Sequence, residues 1–297
     1  MSFISGVEDP CISAWSPKSV LPNYLITGSY EGVYSTGHER NVFDIYALQN
    51  DDLNKVTFRY KYNDQTNCCN FTIIQSHCTI QIQTAPIISP AYSLVWSPTT
   101  GSPMGTIVAG HSEGRMGIYS PEHLLNGIEP MRHVCARHTG AVRTIDANPF
   151  QPNLIASGAQ SSEIFIWDLN SPDKPMTPGS KIQPLSPITR VSWNAKVQHI
   201  LGTLIGLPSG SQAVIWDLRK NEPIIKIQDR TSRLISSAMA WNPLEPTQFA
   251  IGSEDDERPI IQLWDVRHAQ QPYQTIQGQC QHISTIQYVT YSSIFLF

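Results

Sequence analysis

Charge is scarce in this chain. Asp, Glu, Lys and Arg make up 15% of its 297 residues, against roughly 25% in typical soluble domains. So low a fraction suits a fold of many short strands covered on both faces. The balance is slightly acidic at -4, and no basic stripe is present to neutralise phosphates, which argues against nucleic acid as a partner. No uninterrupted run approaches eighteen apolar residues, so no membrane-spanning helix is expected. No basic-then-apolar leader opens the sequence, so no secretory signal is expected. The six cysteines (Cys11, Cys68, Cys69, Cys78, Cys135, Cys280) form no Cys-x-x-Cys pair and read as free thiols. Without a secretory address, the sequon Asn70-Phe71-Thr72 reads as accidental. Helical periodicity is absent beyond a turn or so near residues 121–125.

Tryptophan, by contrast, is placed with regularity. Trp167, Trp216 and Trp264 close three versions of one phrase, IFIWDLN, AVIWDLR and IQLWDVR, spaced 49 and 48 residues apart. The other four of the seven, Trp15, Trp96, Trp193 and Trp241, stand near the start of a unit in AWSP, VWSP, SWNA and AWNP. A period in the forties ending in an apolar strand and Trp-Asp is the signature of the WD-repeat β-propeller. Ala147 fills the first-strand slot between Trp96 and Trp193, while Tyr46 and Tyr119 fill the Trp-Asp slot of two degenerate units. Tyr288, 47 residues after Trp241, reads as the first strand of a further unit.

The expected fold is therefore all-β: a WD-repeat β-propeller of five blades plus part of a sixth, reading as truncated. Residues 1–297 form one incomplete propeller domain in this reading. It carries an atypical insertion at about 58–86, expected to be peripheral, and an atypical tail at about 280–297. The 81 residues from Trp15 to Trp96 mark the insertion. Within EIFIWDL, alternation puts Ile164, Ile166 and Asp168 on one face and Phe165, Trp167 and Leu169 on the other. Asp168, Asp217 and Asp265 fall at strand ends, where a carboxylate accepts turn amide hydrogens. Asn-Pro and Ser-Pro pairs separate the strands.

No set of residues points to catalysis, a cofactor or a metal. His111, His123, His133 and His138 cluster in sequence without the spacing of a zinc site. His138, before a first strand, is expected to make a structural hydrogen bond. Gly110-His111-Ser112-Glu113-Gly114 matches Gly-x-Ser-x-Gly, but a nucleophile elbow needs a helix after the serine. Here RMGIY leads out as a strand, so the motif reads as a tight turn. The turn at Gln160-Ser161-Ser162 has no carboxylate where many WD repeats place Asp, so that blade is expected to lack the usual buried network. The most pointed polar feature is the run Glu254, Asp255, Asp256, Glu257 and Arg258, in the turn before the third strand of the fifth blade. It is either a solvated loop or a contact for a basic patch on a neighbouring subunit.

Several phrases are more specific than the repeat requires. HTGAVRTIDANPFQPNLIASGAQSSEIFIWDLNSPDKPMTPGSK (138–181), VQHIL (197–201), WDLRKNEPIIKIQD (216–229) and GSEDDERPIIQLWDVR (252–267) resemble one family, the larger WD-repeat subunit of the COPII outer cage. PMTPGSK and RKNEPIIK weigh most, because blade geometry alone does not call for them. The resemblance spans about residues 91–278 strongly and 24–48 weakly. It implies a cytosolic, non-enzymatic scaffold in transport from the endoplasmic reticulum to the Golgi, with no cofactor. The implied setting is the cytosolic face of the endoplasmic reticulum and COPII vesicles, without membrane insertion. Implied partners are other COPII coat subunits, chiefly the smaller WD-repeat outer-cage partner. In that family a seven-bladed propeller precedes a donated blade, an α-solenoid and a Pro-rich segment, which this sequence does not contain. The competing reading from the fold alone is a WD-repeat substrate adaptor of a ubiquitin ligase or another multiprotein complex.

Overall fold

In the computed structural model the described residues are 11–17, 19, 24–29, 42–47, 58–63, 68–73, 82–229, 234–253, 259–277, 286–289 and 293–296. They divide between two compact units, Met1–Cys135 and Ala136–Phe297.

In the first unit, β1 (Cys11–Trp15), β2 (Tyr24–Ser29) and β3 (Val42–Ala47) pair as an antiparallel meander. Two further strands, β4 (Phe58–Asn63) and β5 (Cys68–Ile73), pair only with each other. The chain then returns, and β6 (Ile82–Pro86) closes the first sheet by pairing with β3 from Val42↔Pro86 to Tyr46↔Ile82. Within the stretch 58–86, a separate hairpin is thus followed by a strand that belongs to the sheet. The second sheet contains β7 (Ala91–Ser97), β8 (Thr106–His111), β9 (Arg115–Tyr119) and β10 (Met131–Ala136). Between its last two strands lies α1 (Pro121–Leu125), capped by Ser120, whose hydroxyl accepts from the His123 amide. Proline at the first helical position suits that start, because its missing N–H would have had no partner there.

The second unit repeats the pattern. Its first sheet holds β11 (Thr144–Ala147), β12 (Leu154–Gly158) and β13 (Ile164–Asp168), with Met176 bridging to Ile166 in place of a fourth strand. The next holds β14 (Ile188–Trp193), β15 (Ile200–Leu207), β16 (Gly210–Asp217) and β17 (Glu222–Ile227). After it come β18 (Ser236–Trp241), β19 (Gln248–Ser253), β20 (Ile260–Asp265) and β21 (Gln274–Gln277). A two-stranded sheet of β22 (Ile286–Val289), which contains Tyr288, and β23 (Ser293–Leu296) is the last described element. These repeated meanders are propeller blades, and five of them fall where the tryptophan spacing puts them.

Register explains why two aromatic slots recur. Trp15 pairs with Leu25, which pairs with Tyr46. The same three-strand row reads Trp96–Ile107–Tyr119, Ala147–Ile155–Trp167, Trp193–Leu201–Trp216 and Trp241–Phe249–Trp264. Directly paired residues of antiparallel strands share a face, so the aromatic slots of the first and third strands recur on one side of a blade. Trp167, Trp216 and Trp264 are at most 1% exposed.

Polar bonds lace successive blades of the second unit. The Trp193 indole donates to the Asp146 carbonyl at 3.2 Å, and that of Trp241 to the Ser192 carbonyl at 3.0 Å. Asn148 caps its own turn through Oδ1, accepting from the amides of Phe150 and Gln151. Its Nδ2 donates to the Gln198 carbonyl at 2.8 Å. Asn194 does the same, with Nδ2 donating to the Pro246 carbonyl. Each asparagine thus sets both a turn and a seam.

Candidate functional site

The best-built polar cluster lies within the second unit, around Trp167. The Trp167 indole N–H donates to the Ser157 hydroxyl at 2.7 Å. An indole can only donate, so Ser157 passes its own proton to His138 Nε2, 2.7 Å away. His138 Nδ1–H then faces Glu163 Oε2 at 3.4 Å, long for a hydrogen bond. Burial drives the His138 pKa down to about 4 and keeps the ring neutral. Glu163 also accepts from the Thr139 amide (2.8 Å), the Thr139 hydroxyl (3.0 Å) and Lys181 Nζ (2.9 Å). Burial alone would raise this carboxyl, but these donors outweigh it and leave it below its ordinary value. The chain of donors runs from the indole to the Glu163 carboxylate and fixes the side chains between them.

His138 makes the structural hydrogen bond expected of it. The expectation that this blade lacks a network is corrected: Glu163, one residue past the scanned turn, supplies the carboxylate. The other blades satisfy the same aromatic slot differently, because their second strands differ. Thr203 takes the Trp216 indole at 3.0 Å. In the fifth blade the equivalent place is the apolar Ile251, and Trp264 turns to Gln262 of its own strand, which in turn donates to Asp229. In the second blade it is Ala109, so the Tyr119 hydroxyl reaches His111 Nε2 at 2.9 Å, and His111 Nδ1–H donates to the Ser89 carbonyl.

That places the Gly-x-Ser-x-Gly motif. His111 ends β8, Gly114 turns with φ 75°, and Arg115 opens β9. Ser112 sits in a strand-to-strand turn, not on an elbow before a helix. His123 Nδ1 lies 3.1 Å from the Glu129 carbonyl, and Cys135 is buried and in no disulfide. Asp168, Asp217 and Asp265 accept the amides of Asn170, Arg219 and Arg267 at strand ends. Asp217 and Asp265 are also gripped by the guanidinium of the arginine two residues on, which holds both carboxyls below the usual range.

The acidic run Glu254, Asp255, Asp256, Glu257 and Arg258 lies outside the described residues. The flanking β19 and β20 are described, so the run joins the second and third strands of the fifth blade. A polar cleft of about 780 Å³, lined by Gln212, Lys226, Gln228, Asp229 and residues 269–272, opens in the same unit. Sequence reasoning missed it, since its glutamines carry no motif.

The two phrases that blade geometry did not seem to require meet at one seam. A Cβ on Gly179 would stand 2.6 Å from the Asn221 carbonyl oxygen and 3.1 Å from the Trp216 ring. Lys181, two residues on, holds Glu163. PMTPGSK and RKNEPIIK thus form the joint between the third and fourth blades.

No family model matches the chain. It is 36% identical over 294 residues to the protein transport protein Sec31A of Homo sapiens, and 39% identical over 290 residues to Sec31B of Mus musculus. These matches cover 95% and 94% of the chain, and each covers 22% of the relative. A SEC31 of Dictyostelium discoideum is 30% identical over 293 residues, 94% of the chain and 20% of that relative. The chain thus spans between a fifth and a quarter of the length of the curated relatives it matches. Among solved structures, a chain of the COPII outer coat vertex on membranes superposes with a TM-score of 0.73. It is 23% identical and is covered over 67% of its length, against 94% of this chain. At that identity the likeness speaks for the fold.

Proposed function

We infer that this chain, a homologue of the Sec31 protein transport proteins over nearly all of its length, serves as a structural segment of the COPII outer coat. The observation that carries the inference is identity of 36–39% sustained over 94–95% of the chain. In this reading the blades form a non-enzymatic platform on the cytosolic side of the membrane, in carriers leaving the endoplasmic reticulum for the Golgi. Its partners are other coat subunits, chiefly the smaller WD-repeat protein of the outer cage. Superposition on a chain of the coat vertex supports the propeller fold that this reading requires.

We assign the coat contact to the acidic run 254–258. Four carboxylates and one arginine give the run net negative charge, which suits a basic patch on a neighbouring subunit and would steer encounter and orientation. The test uses human Sec31A with this chain in place of the aligned segment, recruited to liposomes with the remaining purified coat proteins. Recruitment should match native Sec31A and fall several-fold on Asp255→Lys with Asp256→Lys. Loss of recruitment with the unmodified chain would refute the coat reading. Full recruitment of the charge-reversed form would refute only the role of the acidic run.

A further inference from the structure

We propose that Thr177 is the acceptor site for a proline-directed protein kinase, placed so that its phosphate draws Lys181 away from Glu163. The proposal stands apart from the coat assignment. The sequence holds eight Ser-Pro or Thr-Pro pairs, and burial sorts them. Ser16, Ser89, Ser97, Ser120 and Ser186 are at most 8% exposed. Ser102 is half-buried, and only Ser171 and Thr177 are exposed.

Local backbone separates these last two. A kinase cleft takes its substrate in extended form, and proline restrains the residue before it to extended backbone. Thr177 follows Met176, whose amide and carbonyl are both bonded to Ile166 in a β-bridge, so the chain enters the site extended. Ser171 instead opens a turn: its amide donates to the Asp168 carbonyl, and its carbonyl accepts from Lys174. Among the described residues the Thr177 hydroxyl has no hydrogen-bond partner. Lys174 and Lys181 flank the site, leaving the acceptor in a locally basic segment.

The reaction moves the γ-phosphoryl group of ATP onto Thr177 Oγ1. The bond from phosphorus to the β–γ bridging oxygen breaks, ADP leaves, and the hydroxyl proton passes to the kinase's catalytic aspartate. The product adds nearly two negative charges at pH 7. Thr177, Glu163, Lys181 and Trp216 line one small cavity of about 30 Å³. The phosphate and the Glu163 carboxylate therefore compete for one ammonium group, now 2.9 Å from Glu163. The dianion is the stronger partner. Glu163 is left short of a cation at the seam that Gly179 closes.

The test exposes the folded 297-residue chain to a purified cyclin-dependent kinase and ATP, with tandem mass spectrometry at all eight pairs. A peptide of residues 171–184 serves as substrate control. Expected is near-stoichiometric phosphate at Thr177, lost in Thr177→Ala, with little at the five buried serines. No incorporation at Thr177 in the folded chain or in the peptide overturns the site, as does equal incorporation at Ser97 and Ser186. Phosphorylation should lower the melting temperature by a few degrees, and by clearly less in Lys181→Met. An equal shift in both proteins overturns the competition for Lys181.

Discussion

Gly179 lies against Asn221: a side chain on the glycine would reach within 2.6 Å of the asparagine carbonyl oxygen. Real Cβ atoms do not approach backbone oxygen so closely, and the φ of 155° at Gly179 adds strain for any other residue. Gly179→Ala should therefore destabilise the chain by about 2–4 kcal/mol, read from the denaturant midpoint. A variant that unfolds with the wild type would show that this seam yields freely.

Trp216 shares its row with Leu201 and Trp193 and is 1% exposed. Trp216→Ala removes a large buried ring, expected to cost about 3–5 kcal/mol. Trp167→Phe is gentler: the ring stays, but the Ser157 hydroxyl loses the indole N–H, at a cost of about 1 kcal/mol. Calorimetry on both variants checks the order. Equal losses would mean that ring volume is not what the slot needs.

Glu163 ties Thr139, Lys181 and the edge of His138 together at 5% side-chain exposure. Glu163→Ala leaves the Thr139 amide without its partner and should cost about 1–3 kcal/mol. Glu163→Gln, which keeps an acceptor oxygen for that amide, should recover part of the loss. A Gln variant no better than Ala would assign the effect to charge alone.

Burial pushes the Asp146 carboxyl up from 3.8 to about 6. The folded state therefore holds this proton more tightly than the unfolded state. Its stabilising contribution is complete below about pH 4 and is lost as pH rises through 6. At pH 7.5 the ionised group costs roughly 3 kcal/mol. Asp146→Asn retains an oxygen for the Trp193 amide, which sits 2.7 Å from Asp146 Oδ2. That variant should gain on the wild type as pH rises from 4 to 7. His138 titrates in the opposite sense, weakening the fold as pH falls from 6.5 towards 4, but it is common to both proteins and cancels in the difference. A pH-independent difference in stability would contradict a desolvated, ionisable carboxyl at Asp146.

What the sequence made legible was whatever recurs. The two tryptophan slots have a period, and they proved to be opposite ends of one cross-strand row. The strand-end aspartates and the His138 bond follow from position in the same way. What stayed hidden depends on contacts remote in sequence. The partner of an aromatic slot is set by what stands two residues along the neighbouring strand: Ser157, Thr203, or an apolar Ala109 or Ile251 that forces a detour. Glu163 was not legible because it lies one residue beyond the turn Gln160-Ser161-Ser162, where WD repeats often place their carboxylate. β6 pairs with β3 across the β4–β5 hairpin, a closure that no local pattern announces. The meeting of Gly179 and Asn221 joins two loops whose sequences carry no shared period.

This chain is expected to do the work of the Sec31 segment it resembles. The most direct measurement is the rate of cargo transport from the endoplasmic reticulum to the Golgi in human cells. In those cells, the only Sec31A would carry this chain in place of the aligned residues. Transport should stay close to that with native Sec31A. Transport as slow as in cells whose Sec31A lacks the segment, with the chimera present at normal levels, would contradict that expectation.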